Sequence, residues 1–136
     1  MTSKIVFLLV SIVFTSACAQ QGTTTTTSTT PSSGQEVSLV TDDGLELAAT
    51  YWDRDTDKEL VLLHMLGGTR NDWNEFAKNV NYTVLAIDLR GHGESGGNWQ
   101  SFSDVDFNNM VLDVKAANEF LSGDVIVIGA SIGANV

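Results

Sequence analysis

Three unbroken apolar runs, ELVLLHM at 59–65, TVLAIDL at 83–89 and DVIVIG at 124–129, decide the architecture of this chain. A strand with one wet face alternates apolar and polar residues; a strand covered on both faces does not. Between the first two runs, Trp73, Phe76, Ala77 and Val80 recur at helical spacing, and Thr69 followed by Asp72 predicts a cap for that helix. Between the second and third, residues 104–121 predict a longer helix. Phe107, Met110, Val111, Val114, Ala117 and Leu121 form its buried stripe, Asp106, Asp113, Lys115 and Glu119 face outward, and Ser103 with Asp106 caps it. Upstream, 36–41 and 45–52 alternate around Asp42-Asp43-Gly44, a hairpin signal. Val37, Leu39 and Thr41 share one face, as do Leu45, Leu47 and Ala49. The expected fold class is α/β: a β-hairpin followed by a parallel β-α-β-α-β sheet with right-handed crossovers. No internal repeat is visible.

The folded part occupies 36–136, within one domain's length. Residues 1–19 read as a signal peptide: Lys4 is the positive charge, and 5–14 (IVFLLVSIVF) is an apolar core shorter than the ~20 residues a spanning helix needs. Two cleavage readings stand side by side. Ala17 before Cys18 resembles a prokaryotic lipoprotein signal in which Cys18 becomes lipidated, although Thr15 departs from the usual leucine. Ala17-Cys18-Ala19 also fits ordinary A-x-A cleavage, with Cys18 discarded. Residues 20–35 form a Thr/Ser-rich linker with nothing apolar to bury before the domain, and the composition predicts disorder. Such a spacer suits a domain tethered to a membrane surface. The chain is therefore expected to be exported, either as a membrane-anchored lipoprotein at the cell surface or as a soluble secreted protein.

Charge and cysteine content exclude several function classes. The formal net charge is −10, which repels phosphate backbones and argues against nucleic-acid partners. The single cysteine allows no intrachain disulfide. The two histidines are far apart in sequence and no Cys/His cluster exists, which argues against a zinc site.

Chemistry is carried by three glycine-rich segments, each at the end of an apolar run. Gly129-Ala130-Ser131-Ile132-Gly133 follows the third run and opens the next helix-like segment. A serine in a tight strand-to-helix turn needs small residues two positions away on each side, because strand and helix approach closely there. The turn lifts the hydroxyl clear of the sheet, and the helix N-terminus favours developing negative charge beside it. His64-Met65-Leu66-Gly67-Gly68 ends the first run, its glycines freeing backbone N–H groups to face a site. Asp88-Leu89-Arg90-Gly91-His92-Gly93-Glu94-Ser95-Gly96 ends the second. If ELVLLHM lies between the other two parallel strands, the loops at 64–68 and 129–133 flank the point where strand order reverses, the usual ligand position in an open α/β sheet.

In this order and spacing, the segments resemble the α/β-hydrolase fold family: its H-G-x-G oxyanion loop, its D-x-R-G-x-G-x-S signature and its G-x-S-x-G nucleophile elbow. The resemblance covers residues 36–136 and implies the N-terminal half of that fold, ending after the elbow. It implies Ser131 as nucleophile and the backbone N–H groups of Ile132 and Leu66 as the oxyanion hole. His64 would orient its loop rather than act as base, and Arg90 and His92 would brace the loop after the second run. Gly67, Gly68, Asp88, Gly91, Gly129 and Gly133 complete the motifs. Met65 stands where the family usually has glycine, so if that position needs a glycine-only backbone angle the loop that presents Leu66 must shift.

The implied activity is a serine hydrolase acting on a small-molecule carboxylic ester, or on an amide or peptide bond, through an acyl-enzyme. Chemistry of this kind requires no metal or organic cofactor. In this family the catalytic acid and histidine follow the serine, and neither follows Ser131 within these 136 residues, so the chain by itself is expected to be inactive. Two alternatives remain: a non-catalytic lipoprotein that keeps the fold for binding, and an acyltransferase passing the acyl group to an alcohol. Trp73, Trp99 and Phe102 are candidates for either a pocket wall or core packing.

Overall fold

The computed structural model describes residues 33–136. The expected 1–19 leader with Cys18, and nearly all of the 20–35 linker, lie outside the described residues. Strands β1 (Gln35–Val40) and β2 (Glu46–Trp52) pair antiparallel, with Val37 opposite Ala49 and Leu39 opposite Leu47. Their turn is closed by the Thr41 N–H donating to the Leu45 carbonyl at 3.0 Å, and Gly44 takes the left-handed conformation the turn demands, φ +82°.

The three apolar runs become β3 (Lys58–Leu63), β4 (Thr83–Ile87) and β5 (Asp124–Gly129). The five strands lie in the order β1-β2-β4-β3-β5. β3 runs parallel to both β4 and β5, while β2 joins β4 antiparallel. The ELVLLHM strand thus sits between the other two parallel strands, and strand order reverses beside it.

Strand pleating sends alternate residues to two cores. Val61, Leu63, Leu85 and Ile87 meet Leu39, Leu47, Met110 and Ala117 on one face; Leu60, Leu62, Val84 and Ala86 meet Trp52 and Ala77 on the other. The second face is covered by a 3-10 turn, Arg70–Trp73, running into the short helix α1 (Asn74–Asn79). The expected cap is present in part: the Asp72 carboxylate accepts the Thr69 N–H at 3.0 Å. Phe76, expected in the buried stripe, is instead exposed and stands edge-on to Trp73.

The long helix departs from expectation. It is split into α2 (Asp104–Asn108) and α3 (Met110–Phe120) at Asn109. There the Leu112 N–H reaches back three residues, to the Asn109 carbonyl, and the helix tightens by part of a turn. Adjacent asparagines, weak helix formers, occupy that point. The slip changes which residues face inward. Val111, expected in the core, is exposed, and Asp113, expected outside, is fully buried together with Ala116. The cap expected at Ser103 forms, with the Asp106 carboxylate accepting the Ser103 N–H at 2.8 Å. β5 is also not covered on both faces: Ile126 and Val127 are about half exposed, and among the described residues β5 pairs only with β3.

Candidate functional site

The bend at position 131 is set by its neighbours. β5 delivers the chain to Ala130, whose N–H donates to the Leu63 carbonyl at 3.0 Å, tying the turn to the end of β3. Ser131 then takes φ +54°, one of two non-glycine residues in the left-handed region among those described. A non-glycine residue there costs about 1–3 kcal/mol and persists only where surrounding contacts dictate it. A short 3-10 helix, Ser131–Ala134, follows at once. Its Gly133 N–H donates to the Ala130 carbonyl at 3.0 Å, and the Asn135 side-chain amide donates to the Ser131 carbonyl at 2.7 Å. Ser131 itself is exposed.

Both elbow glycines answer to sterics. A Cβ on Gly129 would lie 2.0 Å from the Gly133 carbonyl oxygen, and one on Gly133 would lie 2.7 Å from Leu63 and 2.8 Å from the His64 carbonyl. The second contact also places the elbow directly against the start of the 64–68 loop. That loop closes as a turn, the Gly68 N–H donating to the Met65 carbonyl at 2.9 Å. The left-handed residue in it is Gly67, φ +76°, and Met65 is not in the left-handed region. The methionine therefore stands where glycine is usual without violating the backbone.

His64 is buried, and both its ring nitrogens are committed. Nε2 accepts the Leu89 N–H at 3.0 Å, so the proton sits on Nδ1, which donates to the Met65 carbonyl at 2.7 Å. Burial pushes its pKa below the usual imidazole value. His64 links its own loop to the end of β4 and has no free nitrogen with which to accept a proton from Ser131. His92, also buried, bonds through Nδ1 to the Arg90 carbonyl at 3.0 Å, stacks on Trp99 and lies 4.9 Å, ring to ring, from His64.

The 88–96 segment is a scaffold. Asp88, fully buried, accepts the backbone N–H groups of Arg70 at 2.6 Å and Glu94 at 3.0 Å, and pairs with the Arg70 guanidinium. A Cβ on Gly93 would collide with that carboxylate. Ser95 Oγ donates to the Asp88 carbonyl at 2.6 Å and accepts the Ala48 N–H at 2.9 Å, pinning the loop to β2. The Arg90 backbone N–H and Nε donate to the two Asp113 carboxylate oxygens, each at 2.8 Å, while its terminal nitrogens hold Asp43 at 2.8 and 3.1 Å. Gly91, φ +76°, leaves no room for a Cβ beside Trp99 and Phe102. Nothing local in the sequence marks Arg70, Asp43 and Asp113 as the charged partners of this segment. Phe102 packs against the core, and Trp99 stands beside Gly67.

A cavity of about 200 Å³ opens beside the elbow, lined by His64, Met65, Asp72, Trp73 and Ala130. Among the described residues no cluster of His, Cys, Asp and Glu could hold a metal ion.

The fold and the three loops define an α/β hydrolase. A model of the alpha/beta hydrolase family matches residues 60–136, and this chain belongs to that family. It is 28% identical over 111 residues to a serine hydrolase-like protein of Dictyostelium discoideum, covering 77% of this chain and 30% of that one. An esterase of Pyrococcus furiosus superposes with a TM-score of 0.65 at 31% identity, covering 75% of this chain and 43% of the esterase. A bacterial membrane phospholipase A superposes with a TM-score of 0.58 at 26% identity, covering 74% and 32%. The chain thus spans less than half the length of these relatives.

Proposed function

We propose that Ser131 is the nucleophile of an exported serine hydrolase that cleaves carboxylic esters through an acyl-enzyme. The observation that carries this reading is the left-handed Ser131 on an elbow held against the 64–68 loop. The relatives named as a serine hydrolase-like protein and an esterase support it.

In the proposed reaction a base takes the Ser131 hydroxyl proton while Oγ forms a bond to the ester carbonyl carbon. The carbonyl oxygen becomes an oxyanion facing the N–H groups of Ile132 and Leu66, which stabilise it more than the ground-state carbonyl. The C–O bond to the alcohol breaks, and the alcohol leaves with the proton from the base. Water, activated the same way, releases the acid and restores Ser131. His64 has no free nitrogen for the task. The base and its acidic partner are not assigned among the described residues. Cys18 is proposed as a lipid anchor holding the enzyme at the cell surface.

The test uses the whole product of the reading frame. A fluorophosphonate probe and a short p-nitrophenyl ester should label and be cleaved by the native protein and not by Ser131→Ala. Equal labelling of the two overturns the assignment. Radiolabelled palmitate should enter the native protein and not Cys18→Ser; equal incorporation removes the anchor.

A further inference from the structure

His92 is only 3% exposed, yet its Nε2 has no hydrogen-bond partner among the described residues. Nδ1 faces the Arg90 carbonyl at 3.0 Å and so carries the proton of the neutral ring, which leaves Nε2 an unpaired acceptor. Buried polar atoms are nearly always satisfied. An imidazole that keeps one unpaired is held in place by something other than that atom. Its ring contacts supply the reason. His92 stacks on the Trp99 indole, centroids 5.4 Å and planes 8° apart, and meets the His64 ring at 4.9 Å and 54°. Both separations lie in the range at which aromatic rings attract.

Those two neighbours touch the 64–68 loop at different points. His64 begins it, tied by Nδ1 to the Met65 carbonyl at 2.7 Å and by Nε2 to the Leu89 N–H at 3.0 Å. Trp99 reaches it further on: a Cβ on Gly67, its left-handed residue, would lie 3.8 Å from Trp99 Cζ2, ordinary van der Waals contact. Trp99 is anchored to the same segment as His92. Its N–H donates to the Gly91 carbonyl at 3.2 Å, and the His92 N–H donates to the Leu89 carbonyl at 3.0 Å. His64, His92 and Trp99 therefore form a column of rings whose two ends both meet the loop, with His92 as the spacer. Leu66, whose N–H is the proposed oxyanion donor, lies between the two points of contact.

We infer that His92 is a positioning residue for the 64–68 loop: its ring, set between His64 and Trp99, fixes where the Leu66 N–H stands relative to Ser131. The inference rests on the hydrolase reading of Ser131 and goes beyond it, since His92 acts on a neighbouring loop and not only on its own. The ring matters and the bond to Arg90 is secondary. Without the ring, a gap opens between His64 and Trp99, and the loop is free to move into it. The Leu66 N–H then misses the oxyanion. A misplacement of about 1 Å at a reacting centre costs on the order of 10²-fold in rate, and loss of one oxyanion donor costs about 10²–10³ in kcat. The bound ester carries less charge on that oxygen than the transition state does, so KM moves little.

Two variants separate the ring from the bond. His92→Phe keeps a ring and loses the bond to the Arg90 carbonyl; His92→Asn keeps an amide donor for that carbonyl and loses the ring. Both are made in the whole product of the reading frame and assayed on p-nitrophenyl acetate. Rates are counted per site titrated with the fluorophosphonate, so unfolded protein does not enter. In His92→Asn, kcat should fall about 10- to 100-fold with KM within about threefold of native. In His92→Phe, kcat should stay within about threefold of native. Trp99→Leu should lower kcat as His92→Asn does, and the double variant should lose little more, because both act through one column. A readout apart from catalysis is amide exchange at Gly68, whose N–H closes the loop on the Met65 carbonyl at 2.9 Å. It should quicken about tenfold in His92→Asn and hold in His92→Phe. Native kcat in His92→Asn overturns the inference. So does a phenylalanine variant as impaired as the asparagine one, or Gly68 exchange that His92→Asn leaves unchanged. Turnover that survives in Ser131→Ala would instead fault the hydrolase reading, and Gly68 exchange would still test the column.

Discussion

The α-carbon of Gly129 and the carbonyl of Gly133 approach so closely that a methyl group on Gly129 would stand 2.0 Å from the oxygen. β5 and the helical turn after Ser131 meet at this point, and the hydroxyl is presented only because they do. Gly129→Ala is expected to cost at least ~3 kcal/mol, since the obstacle is backbone and not a movable side-chain end. Gly44→Ala makes the control. That site is left-handed, φ +82°, with open space around it, so the cost is strain alone, ~1 kcal/mol. Urea midpoints of the two variants compare them, and equal losses would mean the elbow is not packed as described.

His64 should behave as a neutral structural side chain. Burial holds its pKa below the free value of 6.5. The folded state therefore refuses a proton that the unfolded chain accepts. Stability is full above pH 6.5 and falls as pH drops below it, the slope ending at the folded pKa. The imidazole resonances of His64 should show no titration midpoint at or above 6.5. His64→Phe should remove this slope and cost about 1–3 kcal/mol, because the Leu89 N–H loses its acceptor.

Arg70 and Asp88 form the pair on which the 88–96 loop is built. Arg70 Nε also donates to Thr50 Oγ1 at 3.1 Å, and Nη2 donates to Glu94 at 2.5 Å. A lysine keeps the charge but cannot fork to three partners. Arg70→Lys should cost about 1–3 kcal/mol. Arg70→Met should cost about 3–5 kcal/mol, since Asp88 is fully buried and would be left without a counter-charge. Denaturant melts of the two variants give the order, and a methionine variant as stable as the native chain would refute it.

How much of this was legible in the sequence follows from the range of each signal. The strands were readable because each apolar run reports its own burial, and the elbow because Gly129, Ser131 and Gly133 are local neighbours. Arg70, Asp43 and Asp113 were not, because each becomes meaningful only through a partner that folding brings near. Asp113 was misplaced for a second reason. A helix read at a uniform 3.6 residues per turn puts it outside, and the tightening at Asn109 turns it in, where Arg90 was waiting. β5 was read as covered on both faces from its apolar run, which does not say what packs against each face.

Arg90 also makes acid stability depend on the hairpin turn. Its side-chain bonds hold the Asp43 pKa down to about 2, from 3.8 when free. The folded state thus favours the carboxylate. The contribution is fully present above pH 3.8 and is lost as pH falls through about 2. Asp43 is over a third exposed, so screening leaves about 1 kcal/mol of it. Asp113, on the same guanidinium, runs the other way: burial pushes its carboxyl up, and protonating it relieves part of that cost. Thermal melts between pH 5 and 2, at ~0.1 M salt where surface charges are screened beyond about 10 Å, should therefore show Asp43→Asn less stable than the native chain at pH 5. The two should converge near pH 2, and a constant difference across that range would show that Arg90 does not depend on the Asp43 charge.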